Sequence, residues 1–207
     1  MKEVDTKIAG QFVSRGTIDR LKIYADLLIK WNPHINLVSG STIKSLWSRH
    51  IEDSAQIFTL VPKVEGSWVD LGSGGGFPGL VIAILAQEAN SNLQVTLVES
   101  DKRKATFLRT VIRECKLPVR VLTDRIEALP SLQADVISAR ALAELPQLLK
   151  FADLHLRSNG TALFQKGARW QKELAAVDKS WSFELDRIKS ITQPEAVILR
   201  VRGIKHA

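Results

Sequence analysis

The sequence predicts a Rossmann-like, doubly wound α/β fold: a mostly parallel seven-stranded sheet with an antiparallel strand, preceded by an N-terminal helical cap. Three observations carry this. A short apolar run at 68–71 ends in a glycine-dense turn and passes into an apolar helix-like run at 80–88, the opening unit of such folds. Further β-branched runs then alternate with amphipathic stretches, the pattern of parallel strands joined by helices. The last two β-like runs, 181–188 and 196–201, leave no room for a helix between them and so read as an antiparallel pair.

Residues 1–60 read as helical. Thr17 is placed to cap a helix in which Ile18, Leu21, Tyr24, Leu27 and Leu28 recur on one face. That helix is expected to end near Trp31, because Pro33 disfavours helical geometry in the residue before it, and 32–39 then reads as a loop. Ser41 or Thr42 is placed to cap a second helix with Ile43, Leu46, Trp47, His50 and Ile51 along one side, its apolar pattern continuing to Pro62. Residues 62–67 link this cap to the glycine unit, giving a cap at 1–62 and a core unit at 63–207 within one compact whole.

Beyond the glycine unit, strand 93–99 ends in Glu99. The following helix starts at Ser100 or Asp101, buries Ala105, Leu108, Val111, Ile112 and Cys115, and turns Lys102, Arg103, Lys104, Arg109 and Arg113 outward. Strands are expected at 119–123, 134–138 and 161–165, with a loop or single turn at 125–130 and a turn at 158–160. Helices are expected at 142–156, with Pro146 in the first turn, and at 170–177.

Composition narrows the class. The chain has 207 residues and is 45% hydrophobic, enough for one full core. A formal net charge of +7 points to an anionic partner, nucleic acid before a membrane surface. Cys115 is the only cysteine, which excludes an intramolecular disulfide and fits a reducing cytoplasm. Met1-Lys-Glu-Val-Asp5 lacks the apolar core of a signal peptide, and no apolar run approaches the ~20 residues needed to span a bilayer. A soluble cytoplasmic monomer is expected. Only four histidines occur, at 34, 50, 155 and 206, with no ligand spacing among them, so no metal site is expected.

The glycine spacing admits two chemistries. Gly74, Gly76 and Gly79 fit the G-x-G-x-x-G dinucleotide fingerprint, whereas Asp70 with Gly72, Gly74 and Gly76 fits the D-x-G-x-G-x-G pattern of S-adenosylmethionine-dependent methyltransferases. The terminal antiparallel pair leans toward the second. Glu99 lies about 20 residues past the loop, where nucleotide-binding folds hold ribose hydroxyls.

Five segments together carry a resemblance. Trp31-Asn-Pro-His-Ile-Asn-Leu37, Arg49-His-Ile-Glu-Asp-Ser54, Asp70-Leu-Gly-Ser-Gly-Gly-Gly-Phe-Pro-Gly79, Arg125-Ile-Glu127 and Ile137-Ser-Ala-Arg-Ala141 occur in this order. From Trp31 to Gly167 the chain closely resembles the bacterial 16S small-subunit ribosomal RNA guanine-N7 methyltransferase family, also called glucose-inhibited division protein B. The resemblance implies a class I methyltransferase fold and methyl transfer from S-adenosylmethionine, leaving S-adenosylhomocysteine. It implies N7 of one guanine in the decoding-region loop of 16S RNA as acceptor, in the small ribosomal subunit or its precursor. Carried over by position, Gly72 and Phe77 would touch the cofactor, Ile126 and Glu127 would flank its adenine, and Arg140 would reach the cofactor or the target. Gly74 and Glu99 complete the expected cofactor set.

Guanine N7 carries a free lone pair and no proton, so its methylation requires no general base. The task is positioning and charge management, expected of Arg140. Exocyclic-amine enzymes carry Asn/Asp-Pro-Pro-aromatic where this chain has Ser138-Ala-Arg-Ala141, and pyrimidine-C5 enzymes need a nucleophilic cysteine. His50 and Asp53 stand at helical i, i+3 spacing and read either as a buried hydrogen-bonded pair that docks the cap on the sheet, or with Arg49 or His50 facing RNA or the cleft. For RNA the candidates are Arg49, His50, Lys102, Arg103, Lys166 and Arg169, and Arg140 has an alternative as an ion-pair partner of Asp70 or Glu99. The competing classes are a nicotinamide-dependent oxidoreductase and a non-enzymatic RNA-binding assembly factor.

Overall fold

The structure is a computed structural model in which residues 6–61, 65–89 and 91–207 are described. The amino-terminal Met1-Lys-Glu-Val-Asp5 and the expected boundary between cap and core at residue 62 lie outside the described residues.

The chain opens with a hairpin, not a helix: β1 (Thr6–Ile8) pairs antiparallel with β2 (Gln11–Val13) across Ala9-Gly10, both at positive φ. Helix α1 (Arg15–Ile35) follows, capped by Ser14 instead of Thr17; the Ser14 side chain accepts from the Thr17 N–H. It also runs past Pro33, four residues beyond the expected stop. Proline removes one N–H, but in the final turn that loss is single, and left-handed Asn36 closes the helix by donating its N–H to the Asn32 carbonyl.

The expected second helix is a series of short turns: 3₁₀ at Gly40–Ser45, π at Trp47–Glu52, α2 (Asp53–Ala55) and 3₁₀ at Phe58–Leu60. The π turn widens the backbone where Arg49, His50 and Asp53 meet the sheet, a common setting for such turns.

The main sheet contains β3 (Ser67–Leu71), β4 (Gln94–Val98), β5 (Val119–Leu122), β6 (Ala134–Arg140), β7 (Leu156–Lys166), β8 (Trp181–Lys189) and β9 (Val197–His206). Its order is β5-β4-β3-β6-β7-β9-β8. Strands β5, β4, β3, β6 and β7 pair parallel, and β9 runs antiparallel to both β7 and β8. The expected turn at 158–160 lies inside β7, where an irregularity between the pairs Ala134↔Leu156 and Val136↔Thr161 absorbs it. Turn-forming residues here bulge a strand rather than start one.

Helices α3 (Gly79–Glu88), α4 (Lys102–Cys115), α5 (Leu145–His155) and α6 (Trp170–Ala175) complete the fold. One core, with Trp68, Phe107 and the α1 residues Leu21, Tyr24 and Leu28, fills the face under α3 and α4. The other, with Val69, Leu71, Leu148 and Phe164, fills the face under α5. Alternation of Trp68 and Val69 between them is what a strand buried on both sides requires. Asp101 caps α4 by accepting from the N–H groups of Arg103 and Lys104. Glu88 at the end of α3 accepts from Ser14 N at 3.1 Å, Ser14 Oγ at 2.6 Å and Thr17 Oγ1, which docks the start of α1 on the core.

Candidate active site

A cleft of about 1170 Å³ opens along the carboxyl ends of β3, β4, β6 and β7. This is where open α/β sheets place their ligands. It is lined by Gly72, Gly74, Phe77, Glu99, Ile126, Glu127, Arg140, Arg49, His50, Lys166 and Arg169, among others, so most of the expected site residues converge on one space. Lys102 and Arg103 stand apart, exposed on the first turn of α4.

The floor is the glycine loop. Gly72 and Gly74 have φ of +63° and +54°, a conformation that side chains rarely adopt. A Cβ on Gly72 would meet Leu142 Cδ1 at 2.4 Å, but one on Gly74 would find only the Gly72 carbonyl oxygen, at 3.8 Å. The backbone at Gly74 therefore faces open space. Glu99 braces this loop: Oε2 accepts from Gly74 N and Oε1 from Asp101 N, both at 2.8 Å. Each carboxylate oxygen keeps a further lone pair for a ligand hydroxyl.

Gly79 has a different task. A Cβ there would meet Leu97 Cδ2 at 2.3 Å and Asp70 Cβ at 2.8 Å, so this glycine lets α3 pack on the sheet. Asp70 itself is fully buried, with Oδ1 accepting from Ser138 Oγ at 2.7 Å and Oδ2 without a hydrogen-bond partner. Burial pushes its carboxyl up to about 6, against the opposing hydrogen bonds and Arg140.

Phe77 is not an open face. Its ring lies between those of Tyr24 and His50, each at 5.0 Å, with the Arg140 guanidinium 4.9 Å from its centroid. The Tyr24 hydroxyl donates to the Gly75 carbonyl, tying α1 to the glycine loop.

Arg140 pairs with neither Asp70 nor Glu99. Its Nη1 donates to Arg49 O at 3.1 Å and lies 3.4 Å from Asp53 Oδ2, while Nη2 donates to His50 Nδ1 at 3.0 Å. The guanidinium thus sits between His50 and Asp53, in place of the direct His–Asp hydrogen bond that was one of the two expectations for them. Asp53 is held in turn by Gln165 Nε2 at 2.9 Å, Gln56 Nε2 at 2.9 Å and Thr192 Oγ1 at 2.6 Å. Burial, then Arg140 and Arg49, lowers the His50 imidazole to about 4. Neutral His50 accepts from Arg140 at Nδ1 and donates from Nε2 to Thr42 Oγ1 at 2.7 Å. Its stacked, doubly bonded ring forms part of the cleft wall.

Lys166 lines the cleft, as expected, but has partners within the chain. It is buried, with its ammonium 2.5 Å from Glu173 Oε2 and 2.8 Å from the Ala143 carbonyl oxygen, so its charge is neutralised within the chain. Glu173 Oε2 further accepts from Leu145 N at the start of α5. Arg49 and Arg169 remain exposed at the cleft.

Asp53's partners Gln165 and Thr192, and His155, carried no sequence signal. His155 is fully buried and its Nε2 donates to Ile126 O at 2.9 Å, fixing the turn at Ile126–Ala128 that walls the cleft. Cys115 lies in the core, and burial pushes its thiol up to about 11, far from a nucleophile. Among the described residues no three metal-ligating side chains converge, and no helix is long and apolar enough to cross a membrane.

The cleft can seat a nucleoside against Glu99 and the 126–128 turn, with Arg140 beyond the glycine loop. Solved structures share this architecture. A TehB-like S-adenosylmethionine-dependent methyltransferase from Corynebacterium glutamicum aligns with TM-score 0.58 at 14% identity, covering 88% of this chain and 98% of the other. A mutant of MtNAS in complex with S-adenosylmethionine aligns with TM-score 0.60 at 14% identity, covering 90% and 75%. At such identity these likenesses establish the fold. Sequence relatives go further. The "Ribosomal RNA small subunit methyltransferase G" of Ruegeria pomeroyi is 55% identical over 192 residues, 93% of this chain and 94% of its own. One from Cereibacter sphaeroides is 49% identical over 207 residues, the whole of both chains. The family model described as rRNA small subunit methyltransferase G matches residues 17–199, from the first turn of α1 into β9. By fold, by the glycine loop and by nearly its full length, the chain belongs to the rRNA small subunit methyltransferase G family.

Proposed function

We propose that this protein transfers a methyl group from S-adenosylmethionine to N7 of a guanine in the decoding-region loop of 16S ribosomal RNA, within the small subunit or its precursor, and acts as a monomer. The observation that carries this is the open backbone at Gly74, braced by Glu99 and continuous with a cleft that ends at Arg140.

The residues present fit the cofactor. Glu99 retains acceptor capacity for ribose hydroxyls, Ile126 and Glu127 offer a slot for adenine, and the open backbone at Gly74, with Gly72 beside it on the cleft floor, lets a ligand lie close. When bound, the sulfonium supplies an electrophilic methyl group. The chain supplies position: N7 must be held in line at near-attack distance, with its lone pair already free. His50 has both ring nitrogens engaged, which accords with a reaction that needs no base. Arg140, oriented from three sides, presents fixed positive charge to guanine O6 or to a phosphate. Arg49 and Arg169 at the cleft, with Lys102 and Arg103 on α4, would hold the RNA backbone and give salt-dependent affinity.

The nicotinamide alternative is not supported, because the chain belongs to a methyltransferase family. Family membership argues equally against a non-enzymatic assembly factor. The test is methyl transfer from labelled S-adenosylmethionine to small ribosomal subunits, and to RNA stripped from them, both from cells lacking the enzyme. The product is mapped by cleavage selective for N7-methylguanine. One modified guanine in the decoding-region loop is expected, whereas label on another atom or region would overturn the assignment.

A further inference from the structure

The loop between β8 and β9 lies in the part of the chain to which the sequence assigns no role. Strand β8 is antiparallel to β9, which is antiparallel to β7, so β8 runs with β7 and its carboxyl end opens on the same side as Arg140. Ser190, Gln193 and Ala196 accordingly line the active cleft. At the tip, Ile191 is 65% exposed, the most exposed large apolar side chain among the described residues.

A single exposed apolar residue is ordinary on a protein surface. Its mounting sets Ile191 apart. The Ile191 N–H donates to Gln56 Oε1 at 3.0 Å, and Gln56 Nε2 lies 3.2 Å from Ser190 Oγ. The Thr192 hydroxyl donates to Asp53 Oδ1 at 2.6 Å, and the Thr192 N–H to Ser190 Oγ at 3.2 Å. The loop is tied on both sides of Ile191 to Asp53 and Gln56, and Asp53 is the carboxylate that holds Arg140. One residue therefore fixes both the cleft's guanidinium and the neighbouring apolar tip. Phe12, the other strongly exposed large apolar residue, instead carries the Lys7 ammonium 4.3 Å from its ring centroid.

A base whose ring atom reacts inside a cleft must leave its stack, at a cost of a few kcal/mol. Proteins that open base steps fill the gap with an apolar side chain such as isoleucine. A tip that is already ordered suits that task, since a floppy loop would lose on the order of 1–2 kcal/mol per residue in ordering. We propose that Ile191 is a wedge that enters the RNA stack beside the target base and holds that base in the cleft. The proposal rests on the methyl-transfer reading above, with RNA as the occupant.

The test uses the full chain and an RNA hairpin carrying 2-aminopurine at the methylated position. Binding of the native protein should raise the fluorescence as the base leaves its stack. Ile191→Ala should lose most of that rise and Ile191→Leu should retain it, with melting temperature and S-adenosylhomocysteine affinity unchanged in both. In transfer assays on the natural base, Ile191→Ala should lower kcat/KM about tenfold on the folded hairpin and leave a short unstructured oligonucleotide unaffected. Undiminished fluorescence in Ile191→Ala, or an equal loss of rate on both RNAs, would overturn the wedge. A native protein that methylates no RNA would instead sink the reading on which the wedge rests.

Discussion

Arg140 donates to His50 Nδ1 at 3.0 Å, and a guanidinium has only donors, so this contact exists only while His50 is neutral. The imidazole is lowered to about 4 by burial first, then by Arg140 and Arg49. A base lowered in the fold contributes stability that is present above its ordinary value near 6.5 and lost as pH falls through 4. Imidazole NMR should show His50 titrating near 4. His50→Gln, which keeps an acceptor for Arg140, should flatten the acid limb of stability between those values. A midpoint near 6.5 would mean that Arg140 does not hold the ring.

Asp70 titrates the other way. Its carboxyl is raised to about 6 by burial, so its contribution is full below the ordinary value of 3.8 and is lost as pH rises through 6. The full difference is about 3 kcal/mol, from about 1.4 kcal/mol per pKa unit. Denaturant unfolding from pH 4 to pH 8 should show native protein losing this stability relative to Asp70→Asn. Parallel pH profiles would count against the buried, half-partnered carboxylate.

Lys166 and Arg169 should separate structure from RNA contact. Lys166 is matched by Glu173 and Ala143, so Glu173→Gln, which leaves the buried ammonium without its counter-charge, should cost about 3 kcal/mol of stability. Lys166→Met should leave the salt dependence of RNA binding unchanged. Arg169→Ala should leave stability within about 0.5 kcal/mol and lower the salt slope by about one. Filter binding across a salt series reads both.

Gly74 and Gly79 should fail differently when changed to alanine. At Gly74 the new Cβ meets open space, so the cost is the left-handed backbone, about 1–2 kcal/mol, with S-adenosylhomocysteine affinity falling at least about tenfold. At Gly79 it meets Leu97 and Asp70, and overpacking should cost about 3 kcal/mol. Calorimetry of binding and of unfolding separates the two.

The legible parts of this protein are local ones. Asp70, the glycine loop and Glu99 follow one another within 30 residues, and the alternation of β-branched strands with amphipathic helices is a short-range signal. The hairpin at 6–13 escaped because three-residue strands show no usable periodicity. Pro33 misled because the rule against proline weakens in a last turn, where Asn36 supplies the cap. The turn residues at 158–160 misled because parallel pairing with β6 absorbs them as a bulge. Arg140's partners lie 87 to 91 residues away in sequence, and no pattern connects them until the π turn is docked on the sheet. The internal partners of Lys166 and His50 come from other elements, so no local pattern announces them.

The most direct test is one transfer experiment with labelled S-adenosylmethionine, small ribosomal subunits from cells lacking the enzyme, and native protein beside Gly74→Ala. Native protein is expected to place one methyl group per small-subunit RNA, on N7 of a guanine, while folded Gly74→Ala places almost none. Tight S-adenosylhomocysteine binding by native protein with no label in RNA, or equal transfer by the two proteins, would contradict the assignment of this cleft to ribosomal RNA methylation.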